Sequence, residues 1–209
     1  AVDAVAPGML DKVLMPSLSK NEDRRTELLD KDAATQLIEY LRQFEFPTRT
    51  HALVELLWHT GMRIGAAHSL DVEDYDSDEQ HVEVRHCPDT ETRLKNKEEG
   101  ERYVAINDYL CELIDDYLEY NREDVTDEYE RDPLITTTNG RIHKNTLRST
   151  VYKTTRPCKV PGEGCPGDED PETCEAAQSI SSASKCPYNY SPHAIRKGSI
   201  TWSLKNDVP

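Results

Sequence analysis

A chain of 209 residues has the length of one ordinary domain, or of a domain with a tail. Its hydrophobic content of 36% is modest, and 40 acidic against 25 basic residues leave a net charge of −15. No apolar run approaches the ~18 residues of a membrane span and no basic-then-apolar leader opens the chain, which excludes a membrane partner and a secretory signal and predicts a cytoplasmic protein.

In chain order, residues 1–28 are expected to form a leader or interdomain linker, and residues 29–209 one domain. Asp30 is placed to cap a helix over 31–44 with Ala34, Leu37, Ile38 and Leu41 on one face. Pro47 opens a second helix carrying Ala52, Leu53, Leu56 and Leu57, which Gly61 interrupts before a short third helix from Arg63 to Leu70. The acidic stretch 72–80 reads as turns. Residues 81–85 and 102–106 alternate as strands, joined by a long polar hairpin loop.

Asp108 is expected to cap a helix that buries Leu110, Leu113, Ile114, Tyr117 and Leu118. A short strand at 134–136, a turn at Asn139-Gly140 and a helix over about 144–155 follow. Residues 156–190 read as an insert without much regular structure, rich in Pro and Gly and holding four of the six cysteines. Beyond Pro192, helical spacing resumes at Ala194, Ile195, Ile200 and Leu204. The predicted fold class is mainly α with a small antiparallel β-sheet.

Three separated basic elements carry the chemistry. They are Thr60-Gly61-Met62-Arg63-Ile64-Gly65, Leu94-Lys95-Asn96-Lys97 in the hairpin loop, and His193-Ala194-Ile195-Arg196. In the last of these, His and Arg are three apart and share one helix face. Each element alone is common, since most arginines are simply solvated. Together they suit phosphoryl transfer. Guanidiniums grip phosphate oxygens bidentately and stay charged, and a lysine or histidine can move the leaving group's proton. The net acidity argues against nucleic-acid partners, which usually meet a basic face. At about 1 M salt, however, the Debye length is only ~3 Å, so distant carboxylates would hardly repel DNA.

In order and context these elements resemble the catalytic domain of tyrosine recombinases, the phage integrase family, from about residue 28 to the end. Leu70-Asp71-Val72-Glu73-Asp74-Tyr75, Glu101-Arg102-Tyr103-Val104-Ala105-Ile106 and Ser191-Pro192-His193 add local matches. The acidity and the cysteine-bearing insert are similar to the haloarchaeal branch. The resemblance implies site-specific recombination of double-stranded DNA through a phosphotyrosyl intermediate, by a homo-oligomer on DNA, with no nucleotide or catalytic metal. Arg63 and Arg196 would hold the scissile phosphate. Lys95 would protonate the leaving 5′-hydroxyl, with Lys97 as its rival, and His193 would assist proton transfer.

The sequence also departs from that pattern. Ala66 stands where the family commonly has an acidic residue, and no tyrosine follows Arg196. The expectation is therefore a truncated domain, inactive in strand cleavage alone. Two other readings remain: a catalytically inactive DNA-binding or regulatory remnant, and a zinc-stabilised interaction module.

Cys158, Cys165, Cys174 and Cys186 are separated by six, eight and eleven residues, without C-x-x-C knuckles. Structural zinc would fix a loop with little core, while free thiols or disulfides are the plainer alternatives. Cys87 and Cys111 are expected to have no role. His51 and His59 are read as packing or surface residues. His143, Lys144 and Arg148 are weighed equally as phosphate contacts and as a solvated face.

Overall fold

The computed structural model describes residues 27–206 apart from 161 and 163, so the linker expected before residue 27 lies outside the described residues. Its described residues form seven α-helices and two small antiparallel sheets.

Helix α1 (Lys31–Phe44) starts where Asp30 accepts the Ala33 amide at 2.9 Å, and it buries Ala34, Leu37, Ile38 and Leu41. The spacing of these four follows the helical repeat, so one face is apolar and the opposite face stays in water. Helix α2 (Arg49–Thr60) is capped by Thr48, two residues later than its Pro47 start predicted from sequence, because the Phe46–Pro47 turn precedes the cap. Nearly every residue of α2 from His51 to Trp58 is buried. It is the central helix, packed against α1, α4 and α7.

Gly61 ends α2 in the left-handed region at φ 56°, where a Cβ would be strained. Helix α3 (Ile64–Ser69) then begins, and Arg63 is its N-cap rather than a helical residue. The acidic stretch is more regular than expected. Val72–Asp74 forms a 3-10 turn in which the Asp71 amide donates to Asp74 Oδ2 at 2.8 Å, and β1 (Tyr75–Asp76) adds a third strand. Its polar sequence hides the strand, because only its pairing with the neighbouring strand makes it one.

The sheet order is β1–β2–β3, with β2 (His81–Val84) opposite β3 (Arg102–Ala105) and Val84 across from Arg102. Val82 and Val84 are fully buried while their neighbours are half-buried, the alternation of a one-sided sheet. Helix α4 (Asp108–Tyr120) is capped by Asn107, whose side chain accepts the Leu110 amide at 2.9 Å, rather than by Asp108. Leu134 and Ile135 are buried, but the strand β4 covers only Thr136–Thr137 and pairs with β5 (Gly140–Arg141) across the Asn139-Gly140 turn.

Helix α5 (Lys144–Thr154) leads to the insert, whose described residues form only 3-10 turns and the four-residue α6 (Glu175–Gln178). The two ends of the insert are pinned together. Thr155 Oγ1 donates to the Tyr190 carbonyl, and the Tyr190 amide donates to Thr155 Oγ1, both at 3.0 Å. An excursion closed at its base leaves the helices on either side in place. Lys159 ties it to Glu45 just past α1 at 2.5 Å.

Helix α7 (Pro192–Lys205) buries every residue from Ala194 to Ile200. At Gly198 the helix touches the Leu29 backbone so closely that any Cβ would overlap the Leu29 carbonyl. Leu204, placed on the buried stripe by its spacing, is 65% exposed, since the helix has by then run past the core. Among the described residues no helix is long and apolar enough to cross a membrane.

Candidate nucleic-acid interface

Arg63 enters the site because Gly61 turns the chain. Thr60 Oγ1 accepts the Met62 amide at 3.2 Å, Met62 is fully buried, and Arg63 emerges at the start of α3. Arg196, from the far end of the sequence, is 3% exposed and donates through Nη1 to the Gly61 carbonyl. Two guanidiniums 133 positions apart in sequence thus share one turn. His193 sits one helical turn before Arg196, in the first turn of α7, where Ser191 Oγ accepts the Ala194 amide at 3.1 Å.

The loop between β2 and β3 supplies the lysine. Leu94 is 8% exposed and its amide donates to His86 Nδ1 at 2.9 Å, while Arg93 and Lys95 on either side are exposed. One buried leucine between two cations anchors the loop and presents both charges. Lys97 lies in the 3-10 turn Lys97–Gly100 and does not line the cavity that Lys95 lines.

That cavity is open and about 700 Å³ in volume. Arg63, Lys95, His193 and Arg196 all line it, together with Arg93, Arg102, Lys144 and Arg148. Lys144, Arg148 and Tyr152 fall four residues apart on α5 and form one stripe along the wall. Among the described residues, no Asp or Glu lines it. In a chain of charge −15 the basic groups have been gathered and the acidic ones kept away. Such a concave, one-signed cleft focuses its field and concentrates anions.

Arg63, Lys95, His193 and Arg196, singled out in the sequence, line one cavity, and Lys144 and Arg148, undecided from sequence, line it too. Arg93, Arg102 and Tyr152 also line it and were not singled out from sequence. Arg102 carried a signal in its place at the head of a strand directly after the basic loop. Tyr152 carried none, because its partners on α5 become a stripe only once the helix is oriented. Ala66, given no role from sequence, lines the wall beside Arg63.

Buried carboxylates outside the cavity lining hold further cations. Asp71, 1% exposed, contacts both Arg131 and Arg141, and Arg131 Nη1 reaches Thr90 Oγ1 and, at 2.7 Å, Thr92 Oγ1 in the loop that carries Lys95. Glu55 in α2 contacts Arg42, His51 and His59 at 2.8, 3.3 and 2.8 Å. Burial pushes its carboxyl up, but the bonds from His51, His59 and Arg42 win and bring it down to about 2. His51 and His59 are therefore partners of a buried charge, a role their sequence positions did not reveal. His68, half-buried, is pushed down to about 4 by that burial and by the charges of Lys144, Arg141, His143 and Arg131.

The insert cysteines are all half-buried free thiols. Burial raises the Cys186 thiol, with Cys158 and Cys165 close enough to add to it. Among the described residues no group of three or more His, Cys, Asp or Glu side chains is arranged to hold a metal ion.

A sequence model described as the phage integrase family matches residues 27–160. The matched stretch contains Arg63 and Lys95 and stops before His193 and Arg196. No curated protein matches significantly. Among solved structures, the XerA recombinase is 20% identical with a TM-score of 0.58, over 91% of this chain and 53% of that one. A Tn1549 transposon integrase, solved in complex with a circular intermediate DNA, is 14% identical with a TM-score of 0.62, over 90% of this chain and 56% of that one. At these identities the likeness speaks for the fold. The chain spans about half the length of the structures it matches.

Proposed function

Because this chain belongs to the phage integrase family, we propose that its basic cavity takes a backbone phosphate of double-stranded DNA as part of site-specific recombination in the cytoplasm. The observation that carries this reading is the convergence of seven Lys and Arg side chains and His193 on one cleft that no carboxylate among the described residues lines. Arg63 and Arg196 hold the non-bridging oxygens, where positioned cations stabilise charge that grows in the transition state. Lys95, on its anchored loop, protonates the leaving 5′-oxygen. His193 supports proton transfer and orients the phosphate. The attacking tyrosine is assigned to no residue here, as none follows Arg196 in the sequence. Oligomerisation on DNA, and chemistry without nucleotide or catalytic metal, belong to the same proposal.

The test is binding and cleavage. Wild-type protein should bind a labelled duplex with affinity that falls as salt rises. In a version supplied with the nucleophile, Arg63→Ala or Arg196→Ala should abolish strand cleavage, a loss of at least ~10²-fold for one transition-state donor. Retained cleavage overturns the assignment.

The acidity of the remaining surface fits a haloarchaeal member that works at high internal salt, where distant carboxylates are screened. Structural zinc at Cys158, Cys165, Cys174 and Cys186 is a separate proposal. Cys158 and Cys165 lie near enough to Cys186 to influence its thiol, and the proposal requires the loop to draw all four cysteines together, since among the described residues no three are arranged to hold a metal. Metal analysis of protein purified without chelator decides it, and zinc well below one per chain rejects it.

A further inference from the structure

We propose that Arg102 is a third guanidinium of the phosphate site, one that grips the DNA backbone beside Arg63. The proposal rests on the reading of the cavity as a DNA-phosphate site and adds a residue to it.

Several half-buried or buried arginines of this protein find carboxylates, while Arg49, Arg156 and Arg196 donate to backbone carbonyls. Arg85 meets Glu73 and Asp74, Arg122 meets Asp124 and Asp132, Arg131 meets Asp71, and Arg141 meets Asp71 and Asp127. With 40 acidic residues in the chain, this is what a charge leaving water would be expected to find. Arg102 belongs with the carbonyl-bound arginines, and what sets it apart from Arg49 and Arg156 is the basic cavity that it lines with Arg63. It is half-buried, and among the described residues it has no carboxylate partner. Its side-chain bond goes from Nη1 to the Gly100 carbonyl at 2.7 Å, a neutral acceptor two residues away.

Its surroundings make that more costly. Arg102 faces the same cavity as Arg63, and both burial and the Arg63 charge lower its pKa. An arginine does not escape such a place by losing its proton. Like charges held in a cleft can instead be neutralised by an anion that enters it.

The backbone around Arg102 is rigid. It opens β3 in register with Val84, a fully buried residue, and the Gly100 bond fixes one of its five N–H donors. The donors left over stand preorganised for the planar, two-oxygen face of a phosphodiester. Arg63 arrives from the α2–α3 turn, Arg196 from α7 and Arg102 from the sheet. Three elements fixed by separate packing thus address one ligand.

The experiment uses the whole chain and a short labelled DNA duplex of arbitrary sequence, with binding followed by fluorescence anisotropy over a range of KCl concentrations. Arg102→Gln should bind about tenfold more weakly, and the slope of log K against log[salt] should flatten by roughly one. Arg102→Lys should keep the wild-type slope, because the charge stays. Lys31→Gln, an exposed change outside the cavity, should behave as wild type. In phosphate-free buffer Arg102→Gln should melt no lower than wild type, and it should gain less stability from added inorganic phosphate. A structural role would lower its melting temperature and leave the salt slope alone.

If Arg102→Gln keeps the wild-type slope while Arg63→Gln flattens it, Arg102 is not a phosphate ligand and the cavity reading survives. If Arg102→Gln fails to fold, Arg102→Lys decides: weaker duplex binding at a wild-type slope supports a bidentate grip, and wild-type affinity overturns the inference. Wild-type protein that binds no duplex at any salt concentration overturns the cavity reading, and this inference with it.

Discussion

Replacing Asp71 by asparagine removes the negative charge that holds the Arg131 and Arg141 guanidiniums. Asp71 Oδ2 receives Arg131 Nε at 2.6 Å, and Oδ1 receives Arg141. Arg141 keeps a second carboxylate, Asp127, at 2.8 Å, whereas Asp71 is the carboxylate that Arg131 contacts. Breaking a buried pair by removing one partner costs about 3–5 kcal/mol, because the other charge is left uncompensated. Arg131 is partly exposed and Asn retains one acceptor, which places the expected loss near ~3 kcal/mol. Urea denaturation followed by the fluorescence of Trp58 and Trp202 should show this as a midpoint about 1–2 M lower at unchanged slope. The same substitution frees the grip of Arg131 on Thr90 and Thr92. Amide exchange at Thr92 and Leu94, just before Lys95, should accelerate beyond what the global loss explains. A loss below ~1 kcal/mol would put the network in the class of surface ion pairs and refute the argument.

Acid stability should report Glu55. Its folded pKa of about 2 lies below the ordinary value of 4.5, so its contribution is present above pH 4.5 and is lost as pH falls towards 2. Wild type should exceed Glu55→Gln by about 3 kcal/mol near neutrality, and the gap should close through that window; a gap constant with pH would show that the carboxylate is not the cause. Gly198→Ala forces a Cβ onto the Leu29 carbonyl, with the Trp58 ring 3.1 Å away on another side. Backbone cannot step aside as a side chain can, so thermal melting should show a loss of at least ~2 kcal/mol, within the range for overpacked cores. Wild-type melting would mean that α7 does not approach Leu29 so closely.

Much of the local structure was determined by the sequence itself, because it depends on near neighbours. The four apolar residues of α1, the Asp30 cap, the Gly61 break and the Asn139-Gly140 turn act within a few residues, and the structure has each in place. The basic elements were legible for the same reason: Gly61 must precede Arg63, and His193 and Arg196 must share a helix face. Only tertiary structure decided what these elements face. The strand at Tyr75–Asp76 exists through its partner, the exposure of Leu204 depends on where the core ends, and His51 and His59 gain meaning from Glu55 beneath them. The acidity of the chain was plain in its composition, but composition carries no positions. Packing α3, α5, α7 and the β2–β3 loop around one cleft separates the charges, since a field depends on distances in space that a list of residues does not contain.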